Sequence, residues 1–295
     1  MVWQCNRFSI DLASPKVMGI VNLTPDSFSD GGQHGSVPAA LRHCERLVRE
    51  GADILDIGAE STRPGALPIP VDEELARLLP VLRGAVTLGV PLSVDSYKPA
   101  VMQAALDLGA DIINDVWALR WNDPALGPEQ PTAAQVVARH GSCGLCLMHM
   151  HGEPRNMQAS PMEGDVVPQV LLFWQQLTQS LRVLGVDVAR IVLDPGIGFG
   201  KTVRQNFTLL ARLTELAACG FPLAIGWSRK SSLAAVTGNS LASVATLDSR
   251  SRMVPSVAAA LLSVERGARL VRVHDVRETV QVLKVLDAVN SPPGK

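Results

Sequence analysis

Eight short apolar runs, rich in β-branched residues, recur along this chain of 295 residues, and nearly every one ends at a side chain able to hold a polar ligand. Val17 to Val21 leads to Asn22, Ile54 and Leu55 to Asp56, Leu92 to Val94 to Asp95, and Ile112 with Ile113 to Asn114. The second half repeats the device. Leu145 to Leu147 precedes Met148 and His149, and Ile191 to Leu193 precedes Asp194. Leu223 to Ile225 precedes Gly226-Trp227-Ser228-Arg229-Lys230, and Leu270 with Val271 precedes Arg272 and His274. Such runs read as parallel strands buried on both faces.

Helical patterns separate them, at Val37 to Glu50, Asp72 to Leu88, Pro99 to Leu108, Thr132 to His140, Val166 to Leu184, Gln205 to Ala218, Val257 to Arg266 and Val276 to Val289. Several end in a glycine just before the next strand, where a left-handed residue can terminate a helix. The alternation allows a closed barrel or an open doubly wound sheet. Ligand-type residues on almost every unit favour closure, because an open sheet gathers its site at one switch point and a barrel gathers it at all its strand ends. The expectation is a short N-terminal extension over residues 1–16 packing on a single (β/α)8 barrel over 17–290, and a disordered tail over 291–295. The loops Thr24 to Ser36 and Ser61 to Pro70 are candidate mobile lids, and Thr237 to Pro255 reads as an extended insertion.

The balance of 47% hydrophobic and 19% charged residues suits a globular chain with a large core. A formal net charge of −1 without a basic block argues against non-specific nucleic-acid binding. The opening segment has no signal-peptide core, and no stretch is apolar for long enough to cross a membrane, so a cytoplasmic protein is expected. Five cysteines are scattered, and Cys143-x-x-Cys146 lacks a second such pair to complete a zinc site, so buried small residues on a strand are the simpler reading.

Asp56, Asp95, Asn114 and Asp194 would converge at the barrel mouth, and neither a serine nor a cysteine is paired with a base there. A flat heterocycle with an amidine-like edge needs about this set, with carboxylates for its N–H donors and an amide and Lys230 for its acceptors. A separate cationic group, Arg63, Arg272 and His274, suits phosphate oxygens. An ion pair from Arg272 to Asp275 or Glu278 is the plainer alternative. Asn22 offers an amide oxygen to magnesium if phosphates complete the shell. Ser231 opens a helix after Ser228-Arg229-Lys230, where free backbone N–H groups favour a carboxylate. Asp194-Pro195-Gly196-Ile197-Gly198-Phe199-Gly200-Lys201 has neither dinucleotide-loop nor P-loop spacing, and close approach of backbone to ligand, with Phe199 as an apolar wall, fits it better.

The ordered set of motifs resembles the dihydropteroate synthase family from Met18 to Val289. The segments carrying it run Met18 to Gly32, Asp56 to Gly65, Ser93-Val94-Asp95-Ser96, Ile113-Asn114-Asp115-Val116, Met148-His149-Met150, Asp194 to Lys201, Ser228 to Ser231 and Arg272-Val273-His274-Asp275. The resemblance implies a transferase of folate biosynthesis. It would condense 6-hydroxymethyl-7,8-dihydropterin diphosphate with p-aminobenzoate to give 7,8-dihydropteroate and diphosphate. By the same resemblance Asp95, Asn114, Asp194 and Lys230 hold the pterin, and Met148 and Gly226 line its slot. Asn22 acts through Mg²⁺ on the diphosphate, with Thr62, Arg63, Arg272 and His274. Phe28, Pro64, Phe199, Lys230 and Ser231 take p-aminobenzoate, with which sulfonamides would compete. Loss of the Mg-bound diphosphate gives a pterin cation that the aryl amine attacks, while Asp30 and Arg63 complete the site on loop closure. A homodimer is implied too, with the apolar late helices as its surface; a core-facing helix explains their composition equally well.

Three residues depart from the family pattern: His151, Trp117 and Trp227. None replaces a residue with an implied chemical role. A pterin-binding methyltransferase barrel, or a non-catalytic pterin-binding subunit, would not need the Ser228 to Ser231 run or the Arg272/His274 clamp. The two cationic and acidic groups, read as separate, would allow Arg272→Ala to lose diphosphate while keeping pterin.

Overall fold

A computed structural model of the chain describes residues 1–24, 32–62, 65–122, 127, 129–154, 156–238 and 252–291, with the side chains of the first helix described from Val37 onward. Eight strands form one parallel sheet: β3 (Lys16–Asn22), β4 (Ile54–Gly58), β5 (Leu92–Asp95), β6 (Ile112–Asp115), β7 (Gly144–Met148), β8 (Ile191–Asp194), β9 (Ala224–Ile225) and β10 (Leu270–Val273). The order β8-β7-β6-β5-β4-β3-β10-β9 is that of neighbouring staves, and the ends meet through a parallel bridge between Leu193 and Leu223 and a 3.0 Å bond from the Leu193 N–H to the Pro222 carbonyl. The sheet is therefore a barrel, and the open-sheet alternative falls.

Helices α1 (Gly32–Glu50), α2 (Val71–Ala85), α3 (Pro99–Asp107), α4 (Ala133–His140), α5 (Val166–Val183), α6 (Val203–Ala211), α7 (Leu213–Ala217), α8 (Ser231–Val236), α9 (Met253–Glu265) and α10 (Val276–Asn290) alternate with the strands. Apolar side chains of strands and helices form one continuous buried layer between them. Threonine caps start α4 and α6, each with a reciprocal glutamine, Gln135 and Gln205, at the third helical position.

Three boundaries differ from the sequence reading. The pattern over Gln205 to Ala218 is two helices, because Arg212 leaves helical geometry at φ −105° and ψ 24°. Met253, Val254 and Pro255, read as the end of an extended insertion, form the first turn of α9, where proline lacks only an N–H that the helix would not use. Helix α1 likewise begins at Gly32, inside the stretch read as a lid. Residues 25–31, 239–251 and 292–295 lie outside the described residues.

The N-terminal residues form an antiparallel hairpin, β1 (Val2–Cys5) and β2 (Phe8–Asp11), turning at Asn6 in the left-handed region. It closes the barrel floor. Trp3, Cys5, Ile10 and Leu12 pack against Met18, Ile54, Ile112, Cys146, Val192, Ala224 and Leu270, so every barrel strand except β5 contributes to that layer. The Trp3 indole donates to the Arg190 carbonyl at 2.8 Å, and Arg7 forks onto buried Asp111 at 2.9 and 2.7 Å. A Cβ at Gly144 would lie 2.5 Å from the Cys5 sulfur, so glycine admits the hairpin at that strand. Cys143 and Cys146 are free and buried.

Trp3 is wholly buried and hydrogen-bonded. Trp3→Ala is expected to cost about 3–5 kcal/mol in urea unfolding. A loss below about 1 kcal/mol would show that the hairpin does not seal the floor.

Candidate active site

The C-terminal ends of the strands carry the polar residues, and the strand register sets their heights. Asp56 pairs in register with Ser93, Gly58 with Asp95, Asp95 with Asn114, and Met148 with Asp194. Asp95, Asn114 and Asp194 therefore ring the mouth, and Asp56 lies one inward-facing layer beneath them. All four are buried, which for carboxylates demands either partners or a proton.

Arg272 supplies the partner. It reaches from β10 across the mouth, with Nε on Asp56 Oδ2 at 2.5 Å and Nη2 on Asp95 Oδ2 at 2.7 Å. Arg272, which the sequence sets in a separate cationic group, is thus in one network with Asp56, Asp95 and Asn114. Neither Asp275 nor Glu278 takes this guanidinium; Asp275 pairs with Arg229 at 2.7 Å. Burial works against the charge on Arg272, but Asp56 and Asp95 together outweigh it. Burial also pushes Asp95 up to about 7, with Arg272 opposing and Asp56, Asp115 and Glu74 reinforcing the shift. Among the described residues, Asp95 Oδ1 is buried without a hydrogen-bond partner.

Asp194 is raised by burial and accepts the Gly196 N–H at 2.7 Å. Lys230 bonds to the Ile197 carbonyl and sits 4.6 Å from the Phe199 ring centroid, and burial lowers its pKa to about 8. His274 is held by Ser228, whose Oγ accepts the His274 backbone N–H at 3.1 Å and lies 2.9 Å from Nδ1.

The glycine-rich loop after β8 is clamped onto the loop after β7. Cβ atoms at Gly196 and Gly200 would lie 1.9 Å from the His149 carbonyl and 2.2 Å from that of His151, and both glycines have positive φ. Lys201, almost fully buried, ties the layers: Nζ donates to the Gly196 and Phe199 carbonyls at 3.0 and 3.1 Å and contacts His149 Nδ1 at 3.0 Å. With Nδ1 accepting, the His149 proton is on Nε2, and burial lowers its pKa to about 2, so the ring is neutral. A lysine after three spaced glycines was legible only as a failed P-loop; its role as a loop tie depends on tertiary packing.

A second element that sequence reading did not single out is the buried cluster of Lys98, Glu60 and Glu74. Lys98 Nζ bonds Glu60, Glu74 at 2.7 Å and the Ile69 carbonyl at 2.6 Å, so both ends of the loop after β4 are held together. Tyr97 donates to Glu60 at 2.7 Å and packs on Trp117 and Trp121, which places one departure residue in an aromatic cluster. Trp227, the second, packs on Phe207 in the outer layer.

Asn22 ends β3 and is half-buried, as are Thr62, Phe199, Gly226 and Lys230. Met148, nearly buried, ends β7. Ser231, exposed, is the first residue of the six-residue α8 and lines a cavity of about 220 Å³ with Gln158, Gly198, Thr202 and Asn206. Phe28, Asp30, Arg63 and Pro64 lie outside the described residues. Among the described residues, no group of three or more His, Cys, Asp or Glu side chains could hold a metal, so a cation here would need oxygens from a ligand besides the Asn22 amide.

Residues 18–274 match the family described as pterin binding enzyme. The dihydropteroate synthase of Neisseria meningitidis serogroup C is 48% identical over 98% of this chain and 97% of its own, and that of Escherichia coli K12 is 40% identical over 96% and 94%. Among solved structures, Xanthomonas albilineans dihydropteroate synthase with 4-aminobenzoic acid superposes with a TM-score of 0.87 at 46% identity, covering 99% of both chains. Burkholderia cenocepacia dihydropteroate synthase complexed with 7,8-dihydropteroate gives 0.83 at 46% identity over 98% and 96%. With its acidic mouth crossed by one arginine and relatives matched along almost its whole length, the chain belongs to the dihydropteroate synthases, transferases of the pterin-binding enzyme family.

Proposed function

We propose that this chain condenses 6-hydroxymethyl-7,8-dihydropterin diphosphate with p-aminobenzoate, giving 7,8-dihydropteroate and diphosphate for folate biosynthesis. The observation that carries the reading is the buried Asp95 Oδ1, which has no partner among the described residues, at the same mouth as Asn114 and Asp194. A buried acceptor left open costs about 1–3 kcal/mol, and the N–H edge of a pterin offers the missing donor. The relatives solved with 4-aminobenzoic acid and with 7,8-dihydropteroate support the same substrates.

In this reading Asp95, Asn114 and Asp194 hold the pterin edge, Lys230 its carbonyl side, and Met148 and Gly226 the slot. Arg272 Nη1, the arm of the fork not spent on carboxylates, and His274 face the diphosphate, with Thr62 and Arg63 adding donors from the loop after β4. Asn22 fits a Mg²⁺ that arrives with the diphosphate, because its single amide oxygen is a hard donor and phosphates would fill the rest of the shell. Bound there, Mg²⁺ would neutralise charge on the departing oxygens. Asp95 and Asp194 stabilise positive charge left on the pterin when the C–O bond breaks, and the aryl amine then attacks that carbon. Phe199, with Phe28 and Pro64, walls the p-aminobenzoate ring, Ser231 meets its carboxylate, and Asp30 with Arg63 excludes water. Because Arg272 is the counter-ion of Asp56 and Asp95, its removal would disturb pterin as well as diphosphate, and the two subsites do not separate by that substitution.

A homodimer through α9 and α10 is part of the proposal. Val254, Val285 and Val289 are 65–70% exposed on those two helices, which offers apolar area to a partner copy. Free thiols, four of the five buried, suit a reducing cytoplasm, and among the described residues no helix is long and apolar enough to cross a membrane. Light scattering on chain purified from the soluble extract is expected to return twice the chain mass. A monomer, or recovery only with membranes, would reject the respective assignment.

Purified protein supplied with both substrates and Mg²⁺ is expected to form dihydropteroate, with sulfonamides competitive against p-aminobenzoate. A folded preparation that yields no product overturns the proposal. Asp194→Asn, which replaces a carboxylate acceptor with an amide N–H donor facing the pterin donors, is expected to weaken pterin binding at least about tenfold by calorimetry. Unchanged affinity would remove Asp194 from the pterin edge.

A further inference from the structure

Asp56 lies in neither proposed substrate group, yet both are built on it. Its carboxylate is fully buried. Oδ1 accepts the Ser93 hydroxyl at 2.6 Å, and Oδ2 accepts Asn114 Nδ2 at 3.2 Å and Arg272 Nε at 2.5 Å. An ionised carboxylate only accepts, so the contact with Nδ2 selects one of the two amide orientations open to Asn114, the one whose oxygen is turned away from Asp56. The contact with Nε, together with Asp95 on Nη2, fixes the plane of the Arg272 guanidinium. Ser93 occupies Oδ1, so the carboxylate cannot rotate freely beneath these partners.

We propose that Asp56, braced by Ser93, is a positioning residue for the reaction: it sets the orientation of Asn114 and of Arg272 at once, and so aligns the pterin-facing acceptors with the phosphate-facing donor without touching substrate. This rests on the pterin reading of the site and deepens it. Asp56→Asn keeps size but presents a donor or a weaker acceptor to partners that are all donors. The pterin affinity of the variant is expected to fall about 10- to 100-fold, as expected for loss of hydrogen bonds to a charged group, and Ser93→Ala to weaken it less.

A purely structural role would lower stability without two further effects. If Asp56 acts through Asn114, Asp56→Asn costs much less pterin affinity in an Asn114→Ala background than in the parent. Asp95 is faced by Arg272 from β10, Asp56 from β4, Asp115 from β6 and Glu74 from α2. Removing the like charge of Asp56 lowers the pH at which Asp95 takes up a proton, so the acid midpoint for loss of pterin binding shifts downward in Asp56→Asn.

The decisive experiment is calorimetric titration of 6-hydroxymethylpterin into parent, D56N, S93A, N114A and D56N/N114A between pH 5 and 9, with thermal melts of each, on the order of ten points per curve. A coupled cycle and a lowered midpoint support the proposal. Additive losses with an unmoved midpoint in a folded D56N overturn it. Should D56N fail to fold, S93A decides: parent-like affinity overturns the proposal, and weakened affinity with an unchanged melt supports it. A parent that does not bind the pterin fails the functional reading itself, a result distinct from the failure of Asp56.

Discussion

A guanidinium held between two buried carboxylates governs how the rest of the barrel mouth is arranged. Two ionised aspartates one layer apart in a dry barrel would repel each other and shed their charge, and a lone buried arginine would be equally costly. Arg272 between Asp56 and Asp95 resolves both problems, and the geometry is a fork, with adjacent nitrogens on separate carboxylates. The network still leaves one Asp95 oxygen unmet. Among the described residues, that oxygen is a buried acceptor left open at the mouth.

The scaffold makes such an arrangement affordable by fixing it from below and from the side. Beneath, the Trp3 hairpin packs on the floor against seven of the eight strands. Beside it, Lys201 draws the carbonyls of the glycine-rich loop onto the loop after β7, and burial lowers its pKa to about 7. A neutral Lys201 would keep only two of its three N–H donors and lose strength in the bonds that remain, so the tie weakens rather than breaks as pH rises. On the other flank, Lys98 gathers Glu60, Glu74 and the Ile69 carbonyl, shutting the stem of the loop after β4. Two buried ammonium groups thus hold two different βα loops, each through backbone carbonyls.

The fold was legible because period and punctuation agree: β-branched runs, amphipathic helices and terminal glycines repeat in one order, and the rim residues Asp95, Asn114, Asp194 and Arg272 each end or nearly end a run. Pairings were not legible. Arg272 lies more than two hundred positions from Asp56 in sequence, at a separation of 216, and the sequence points it to phosphate, with nearby Asp275 or Glu278 only as the alternative. Only closure of the barrel, with β10 beside β3, brings the two together. Asp56 itself was read as a ligand-binding side chain because sequence shows that a carboxylate ends a strand, not at which layer it sits. The packing of residues 1–16 on the barrel is an expectation from sequence, but their hairpin form was not legible, since two four-residue strands carry too little periodicity to stand out.

On the proposed reaction, the shared arginine also explains why one site can bind a charged leaving group and a heterocycle in register. Arg272 is oriented before any substrate arrives, so its free arm needs no reorganisation when phosphate oxygens approach, which is the condition under which electrostatic stabilisation lowers a barrier most. The same side chain touches the carboxylate that would face the pterin. On that proposal, Arg272 would interact more strongly with the anion and less with Asp95 as charge leaves with the diphosphate, and Asp95 would then be freer to stabilise positive charge on the ring, so that one side chain would couple the two halves of the bond-breaking step.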